Sequence, residues 1–276
     1  MIVLHQRGRL LLVKQLDHAG LAGRFAEEWG NDRFEAPAPR GSVVLAAGRH
    51  DEGWRESDDG LRYDPERRAP LYFLDGTLED YVTLYTRGIA RLAELDPYAG
   101  LLVSMHGTGN VCGRWGLQPG IRLSRYDPAT WPPLIERFVL EQEAFQARLK
   151  LRILGLSPEG RRSVFERRLW SNWELLQAWD RLSLFACRSD PGERSEAEIG
   201  IVPRTLEGPE TATLKVRSTG AGALVVEPWP FRTAAVDVEV PRVAIEDRPY
   251  GSREEVAAAV ALAPAERVCW RLQATG

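Results

Sequence analysis

Residues 174–202, ELLQAWDRLSLFACRSDPGERSEAEIGIV, hold the point at which the chain changes texture. Through Cys187 the pattern is helical, with Leu176, Asp180 and Leu184 four apart on one face. Beyond Arg188 it turns to short β-type runs, of which EIGIV is the first. The aspartate in the middle of an apolar helix face is the least expected residue of the stretch. Burying it unpaired is costly, and a cation or metal partner removes most of that cost.

Upstream of this boundary the pattern is mostly helical. Residues 2–13 read as a hairpin turning at Gly8, and a helix follows from Gln15 to Trp29 with Leu21, Ala22, Phe25 and Trp29 on one face. A Pro-rich break leads to Ser42 as N-cap of a second helix ending near Asp51. Residues 52–76 read as a loop. Thr77-Leu78-Glu79-Asp80 reads as a capping box opening a helix to Leu95. An apolar segment spans 99–106, a loop 107–130, and two long helices cover Pro132–Ile153 and Ser157–Cys187. Downstream, TATLKV, ALVVEPW, AVDVEV and RVAIE read as strands, followed by a helix over Ser252–Leu262 and a last strand, RVCWRL. The expected fold is therefore mainly α, α+β overall. A helical domain spans 14–190, and a smaller β-rich module spans 195–276, its sheet completed by the hairpin 1–13.

Composition narrows the function classes. The 276 residues are 44% hydrophobic and 27% charged, as in a globular protein with a sizeable core. With 36 Lys plus Arg against 39 Asp plus Glu, the net charge of −3 offers no footprint for nucleic acid or an anionic membrane. No apolar run reaches a membrane span and no secretory signal stands at the start, while three scattered cysteines form neither a disulfide framework nor a zinc knuckle. A cytoplasmic location is the expectation, with a small-molecule substrate as partner.

Only four histidines occur: His5, His18, His50 and His106. His18 shares the face of Ala22, Phe25 and Trp29; His50 follows Ala46 and Ala47 by four and three; Asp51 follows Ala47 by four. All three phases point inward. Singly, each residue reads more readily as a hydrogen-bonded core group or a capping or Arg-paired carboxylate, with Arg49, Arg55 and Arg181 at hand. Together with Asp180, they predict one shared metal site. Imidazole plus carboxylate suits a divalent transition metal (Fe, Mn, Zn, Ni or Co) and leaves coordination open for water or a phosphoryl oxygen. The turn-like His106-Gly107-Thr108-Gly109-Asn110 is no P-loop and reads chiefly as a plain Gly-rich turn. Ser104 lacks a nucleophile elbow. Trp54, Trp115, Trp170, Trp173 and Trp179 are candidates to line a pocket, though most tryptophans serve the core.

The order His18, His50-Asp51, Asp180 resembles the HD superfamily of helical metal-dependent phosphohydrolases, and Glu52-Gly53 is similar to the turn that follows its doublet. The phrases QLDHAGLAGRFAEEWG, RHDEGW, DPYAGLLVSMHGTG and WDRLSLFAC are also similar to an uncharacterised bacterial family catalogued only as a domain of unknown function, number 3891. The HD resemblance implies a helical HD-like core with His18, His50, Asp51 and Asp180 around one metal and His106 as ligand of a second. It further implies hydrolysis of a phosphate ester or nucleotide-like molecule by hydroxide generated at the metal. In that reading Asp51 and His106 are catalytic, and Arg49, Arg55 and Trp54 contact substrate. Trp54 stands where many HD hydrolases carry a lysine, and no histidine follows His106. Two other readings stay open: an HD-fold iron oxygenase using the same ligands, and a metal-free binding or scaffold protein.

Overall fold

The computed structural model describes residues 1–112, 130–164 and 166–275. The chain opens with β1 (Ile2–Gln6) and β2 (Arg9–Val13), followed by α1 (Gln15–Glu28) and α2 (Arg40–Gly48). A 3-10 turn (Glu52–Trp54), α3 (Arg55–Gly60), the two-residue strands β3 (Tyr63–Asp64) and β4 (Ala69–Pro70) and a second 3-10 turn (Phe73–Asp75) follow. The region read as one loop over 52–76 is thus built of short elements. Then come α4 (Leu78–Leu95), α5 (Pro97–Val111), α6 (Pro133–Leu154), α7 (Pro158–Ser163) and α8 (Glu166–Arg188). The chain closes with β5 (Arg194–Pro203), β6 (Thr211–Thr219), β7 (Ala223–Glu227), β8 (Ala235–Glu246), α9 (Arg253–Leu262) and β9 (Ala265–Gln273).

The expectation of a mainly α, HD-like fold is corrected by the sheet. About half the chain is helical and a quarter is strand, so the architecture is α+β. Seven strands form one sheet in the order β1-β2-β8-β9-β7-β6-β5, antiparallel except for the β7–β9 pair. The N-terminal hairpin joins through β2, with Leu11 opposite Ala244 of β8. Strands from the two ends of the chain thereby make a single large sheet. Periodicity reports each strand by itself and says nothing of partners more than two hundred residues away, which is why the sheet's size escaped the sequence.

Burial explains the strand patterns. Alternate residues of β6 (Leu214, Val216, Ser218) and β9 (Val268, Trp270, Leu272) are buried while their neighbours face water. In β2, by contrast, the unbroken run Leu10–Val13 is buried on both faces. Leu10 and Leu12 pack in a small cluster with Ile245, Tyr250 and Val256, the last supplied by α9. Val13 belongs to the main core, which runs without a break from the helices to the inner face of the sheet. α1 and α8 pack on each other and on that face, through β8 and β5 respectively. α2, α4, α5 and α6 complete the helical side. No helix among the described residues is long and apolar enough to cross a membrane.

Two helix starts and one glycine stretch are instructive. Thr77 accepts from the Asp80 amide while the Asp80 carboxylate accepts from the Thr77 amide, a reciprocal capping box at α4. Thr77→Ala is expected to lower the unfolding free energy by about 1 kcal/mol in urea titrations. Ser157 caps α7, but the long helix expected from there is two, α7 and α8. The stretch His106–Asn110, read as a turn, lies in the last turns of α5. Its glycines make room for aromatic neighbours: a Cβ on Gly107 would stand 3.0 Å from the Tyr85 ring, and one on Gly109 2.8 Å from Trp173. Tertiary packing there outweighs the weak helix propensity of glycine.

Candidate metal centre

α1 and α2 cross at two glycines. A Cβ on Gly23 would lie 2.6 Å from the Gly48 Cα, so only glycines allow backbones this close. The crossing sets His18, on α1, beside His50, two residues past the end of α2. α8 packs along α1 and brings Asp180 to the same point. Asp51 precedes the 3-10 turn, and His106 reaches in from α5.

The donor atoms converge tightly. His18 Nε2 lies 3.2 Å from His50 Nε2 and 3.0 Å from Asp180 Oδ1. His50 Nε2 is 3.5 Å from Asp180 Oδ1 and 3.7 Å from Asp51 Oδ2, and His18 Nε2 is 3.9 Å from Asp51 Oδ2. Ligand bonds of about 2.1 Å put neighbouring donors about 3.0–3.4 Å apart and opposite ones about 4.2 Å apart. The observed separations fall in that range. Two donor sets emerge, His18–His50–Asp180 and His50–Asp51–His106, which share His50. None of the five residues is more than 4% exposed.

Hydrogen bonds decide what these atoms offer. His50 Nδ1 stands 2.8 Å from the Ala47 carbonyl, which only accepts, so Nδ1 carries the proton and Nε2 a lone pair. Ser183 Oγ donates to the Asp180 carbonyl at 2.8 Å and therefore accepts from His18 Nδ1 at 2.7 Å. With both rings neutral, as a metal ligand must be, His18 Nε2 then also presents a lone pair. Two imidazole lone pairs and two carboxylates face one point, an arrangement that repels itself unless a cation joins it. The donor set fits a divalent transition metal.

The electrostatics say the same in the absence of an ion. Burial lowers the His50 imidazolium, but Asp51 and Asp180 more than reverse this and push it up to about 9. Burial raises the Asp180 carboxyl, yet hydrogen bonds from His18 and His50 hold it well below the usual carboxylate range. For Asp51 burial prevails over the attraction of His50 and His18, and its pKa is raised. Burial, then the His50 charge, lowers His106 to about 3. A proton on His50 takes the place that a metal would occupy.

Several supporting residues were missed by the sequence reading. Gln15 donates to Asp51 Oδ2 at 3.2 Å and the Tyr85 hydroxyl to Asp51 Oδ1 at 3.3 Å. Gln177 faces His106 Nδ1 at 2.9 Å, and Asn110 bonds the Tyr85 hydroxyl at 3.2 Å. Gln177, Asp180, Ser183 and Leu184 share one side of α8, so the spacing around Asp180 was the available signal for the first and third. Tyr85 and Gln15 carried none.

The site opens into a cleft walled by Trp54, Phe73, Tyr81 and Tyr85. Trp54 lines it, whereas Arg49 and Arg55 are exposed and outside it. Arg55 pairs with Glu52 at 2.8 Å. Both arginines sit where α2 has ended, so helical phase could not orient them. Arg181 donates to the Gln177 and Gly200 carbonyls. Of the other tryptophans, Trp173 and Trp179 are core residues, Trp170 packs edge-on against Trp173, and Trp115 lies outside the described residues. His5 pairs with Asp247 at the surface.

Comparison with curated proteins and with solved structures finds no match. Residues 1–247 match the profile of a family described as a protein of unknown function, DUF3891, and the chain belongs to that family.

Proposed function

We infer that the protein is a metal-dependent hydrolase acting on a phosphate ester. The observation that carries this reading is the convergence of His18 and His50 lone pairs with Asp180 and Asp51 at the floor of a cleft. The order His18, His50-Asp51, Asp180 agrees with the ligand order of HD phosphohydrolases, which adds support from sequence alone. A divalent ion held there supplies Lewis acidity and lowers the pKa of a bound water. Hydrolysis forms one P–O bond from water, breaks the ester P–O bond and returns a proton to the leaving alcohol. Asp51 is a basic group facing the cleft and serves as acceptor for the water proton. His106, neutral at pH 7, orients the reacting oxygen through a ring nitrogen. Gln15 and Tyr85 fix the Asp51 carboxylate.

The test is release of phosphate from 4-nitrophenyl phosphate by protein loaded in turn with Fe, Mn, Zn, Ni and Co. Activity that disappears on chelation and in His50→Ala is the expected result. Metal uptake without turnover under any of these ions counts against hydrolysis.

A second reading, an iron oxygenase, rests on the same His and Asp donors, whose ligand types also suit iron. Stoichiometric O₂ consumption by the iron-loaded protein distinguishes it.

Metal binding has a proton signature. With its pKa near 9, His50 is protonated at pH 7 in the ion-free protein and must lose that proton to become a ligand. Calorimetry in buffers of different ionisation enthalpy is expected to show about one proton released per ion, with affinity rising about tenfold per pH unit from 7 towards 9. Binding without proton release would remove His50 from the ligand set.

A further inference from the structure

The cleft combines four features. Its walls are aromatic, with Tyr81 and Tyr85 4.5 Å apart at a tilt of 38° and Trp54 edge-on to Phe73 at 6.2 Å. No lysine or arginine among the described residues lines it. Among the described residues its only fixed charges are Asp51 and Asp180 at the floor and the histidines they face. Finally, three lining residues, each at most 6% exposed, keep a buried polar atom without a partner among the described residues: Gln15 Oε1, Trp54 Nε1 and Asn110 Oδ1.

The orientation of Gln15 follows from chemistry. Its amide nitrogen faces the Asp51 carboxylate, which only accepts, so the amide oxygen is left as an acceptor. Trp54 offers a donor. Buried polar groups without partners disfavour the empty state and reward a ligand that supplies the complementary atoms. Flat aromatic walls reward a flat ring. Among the described residues, in contrast, a second or third phosphate would meet no cation besides a bound metal.

Resting on the metal-site reading for its anionic end, we propose that the cleft recognises a small, flat, uncharged ring with an amide-like edge, attached to no more than one anionic group. The ring lies between the walls formed by Trp54, Phe73 and the tyrosine pair. Its donor meets Gln15 Oε1 and its acceptor meets the Trp54 N–H. The single anion reaches the metal. Polyphosphates are excluded.

Ligand-observed NMR on the full chain, with and without Mn²⁺, tests this using uracil, adenine and nicotinamide as ring probes. Inorganic phosphate and tripolyphosphate serve as anion probes. At least one ring probe is expected to bind in both states and to lose tenfold or more in Phe73→Ala, a half-buried position. Gln15→Met is expected to weaken the same probe at least fivefold, and circular dichroism of both variants shows whether they fold. Tripolyphosphate is expected to bind no tighter than inorganic phosphate. Failure of all three rings to bind, or tripolyphosphate binding tenfold tighter than phosphate, overturns the proposal. Elemental analysis of the same Mn²⁺ samples reports separately on the metal reading, because the ring probes require no metal.

Discussion

Asp180→Ala is expected to leave the chain unable to retain metal. Asp180 Oδ1 is the donor closest to His18 Nε2 and also faces His50 Nε2, so its removal takes one ligand and one negative charge from the first donor set. A total binding free energy of about 10–16 kcal/mol shared among four ligands is about 3 kcal/mol each, or a roughly 100-fold loss of affinity. The lost anion makes the effect larger, since His18 and His50 would then hold a dication with only Asp51 to balance it. Elemental analysis after dialysis and competition with a chromogenic chelator measure the change. Asp59→Ala, which removes an exposed carboxylate paired with Lys14, is expected to retain wild-type metal content. Thermal melts supply a second readout. Metal at a hundred times its Kd stabilises the wild type by about 2.7 kcal/mol, and Asp180→Ala is expected to show no metal-dependent shift. Equal metal content in the wild type and Asp180→Ala would rule out the site.

Gly53→Ala is expected to be the most damaging glycine-to-alanine change among the described residues. A Cβ at Gly53 would stand 1.9 Å from the Leu84 carbonyl oxygen and 2.6 Å from its carbon. These are backbone atoms, so no side-chain rotation relieves the clash. The reverse contact is also too close: a Cβ on Gly88 would lie 2.5 Å from the Gly53 nitrogen. The turn carrying Asp51 must therefore move away from α4. Overpacking of this kind costs about 3 kcal/mol or more. The same shift carries Asp51 off the Tyr85 hydroxyl and out of the second donor set, so metal affinity falls along with stability. Urea unfolding of the ion-free protein and chelator competition read the two effects. Gly20→Ala provides the opposite sign. Gly20 is exposed on α1 with nothing within 4 Å of an added Cβ, and alanine there is expected to stabilise by about 0.5–1 kcal/mol. A Gly53→Ala protein as stable as the wild type would show that the close approach of the doublet turn to α4 is not required.

Both predictions concern residues that differed greatly in legibility. Asp180 was visible because helical phase is local: Leu176 and Leu184 identify its face without knowledge of the partner helix. His18 was legible on the same ground; His50 and Asp51 lie past the end of α2, so their doublet rather than their phase pointed to them, and the structure brings all four within 4 Å of another member. The phase argument stops where a helix stops. Arg49 and Arg55 flank the doublet in sequence and were expected at the substrate, yet both point to water. The glycines of 107–109 looked like a turn because glycine's propensity is local information, whereas their helical state depends on the rings of Tyr85 and Trp173 beside them.

By itself, the sequence determined the inward faces of α1, α2 and α8, the caps of α4 and α7, and the residue types able to hold a metal. Those properties follow from spacings of three and four residues and from side-chain chemistry. Only the tertiary structure decided that strands from both ends of the chain form one seven-stranded sheet. It alone paired His18 with Ser183 and His50 with the Ala47 carbonyl, which fixes the ring nitrogens that face the centre. Strand pairing and tautomer choice depend on which groups meet across long stretches of chain, and a meeting of that kind leaves no period in the sequence.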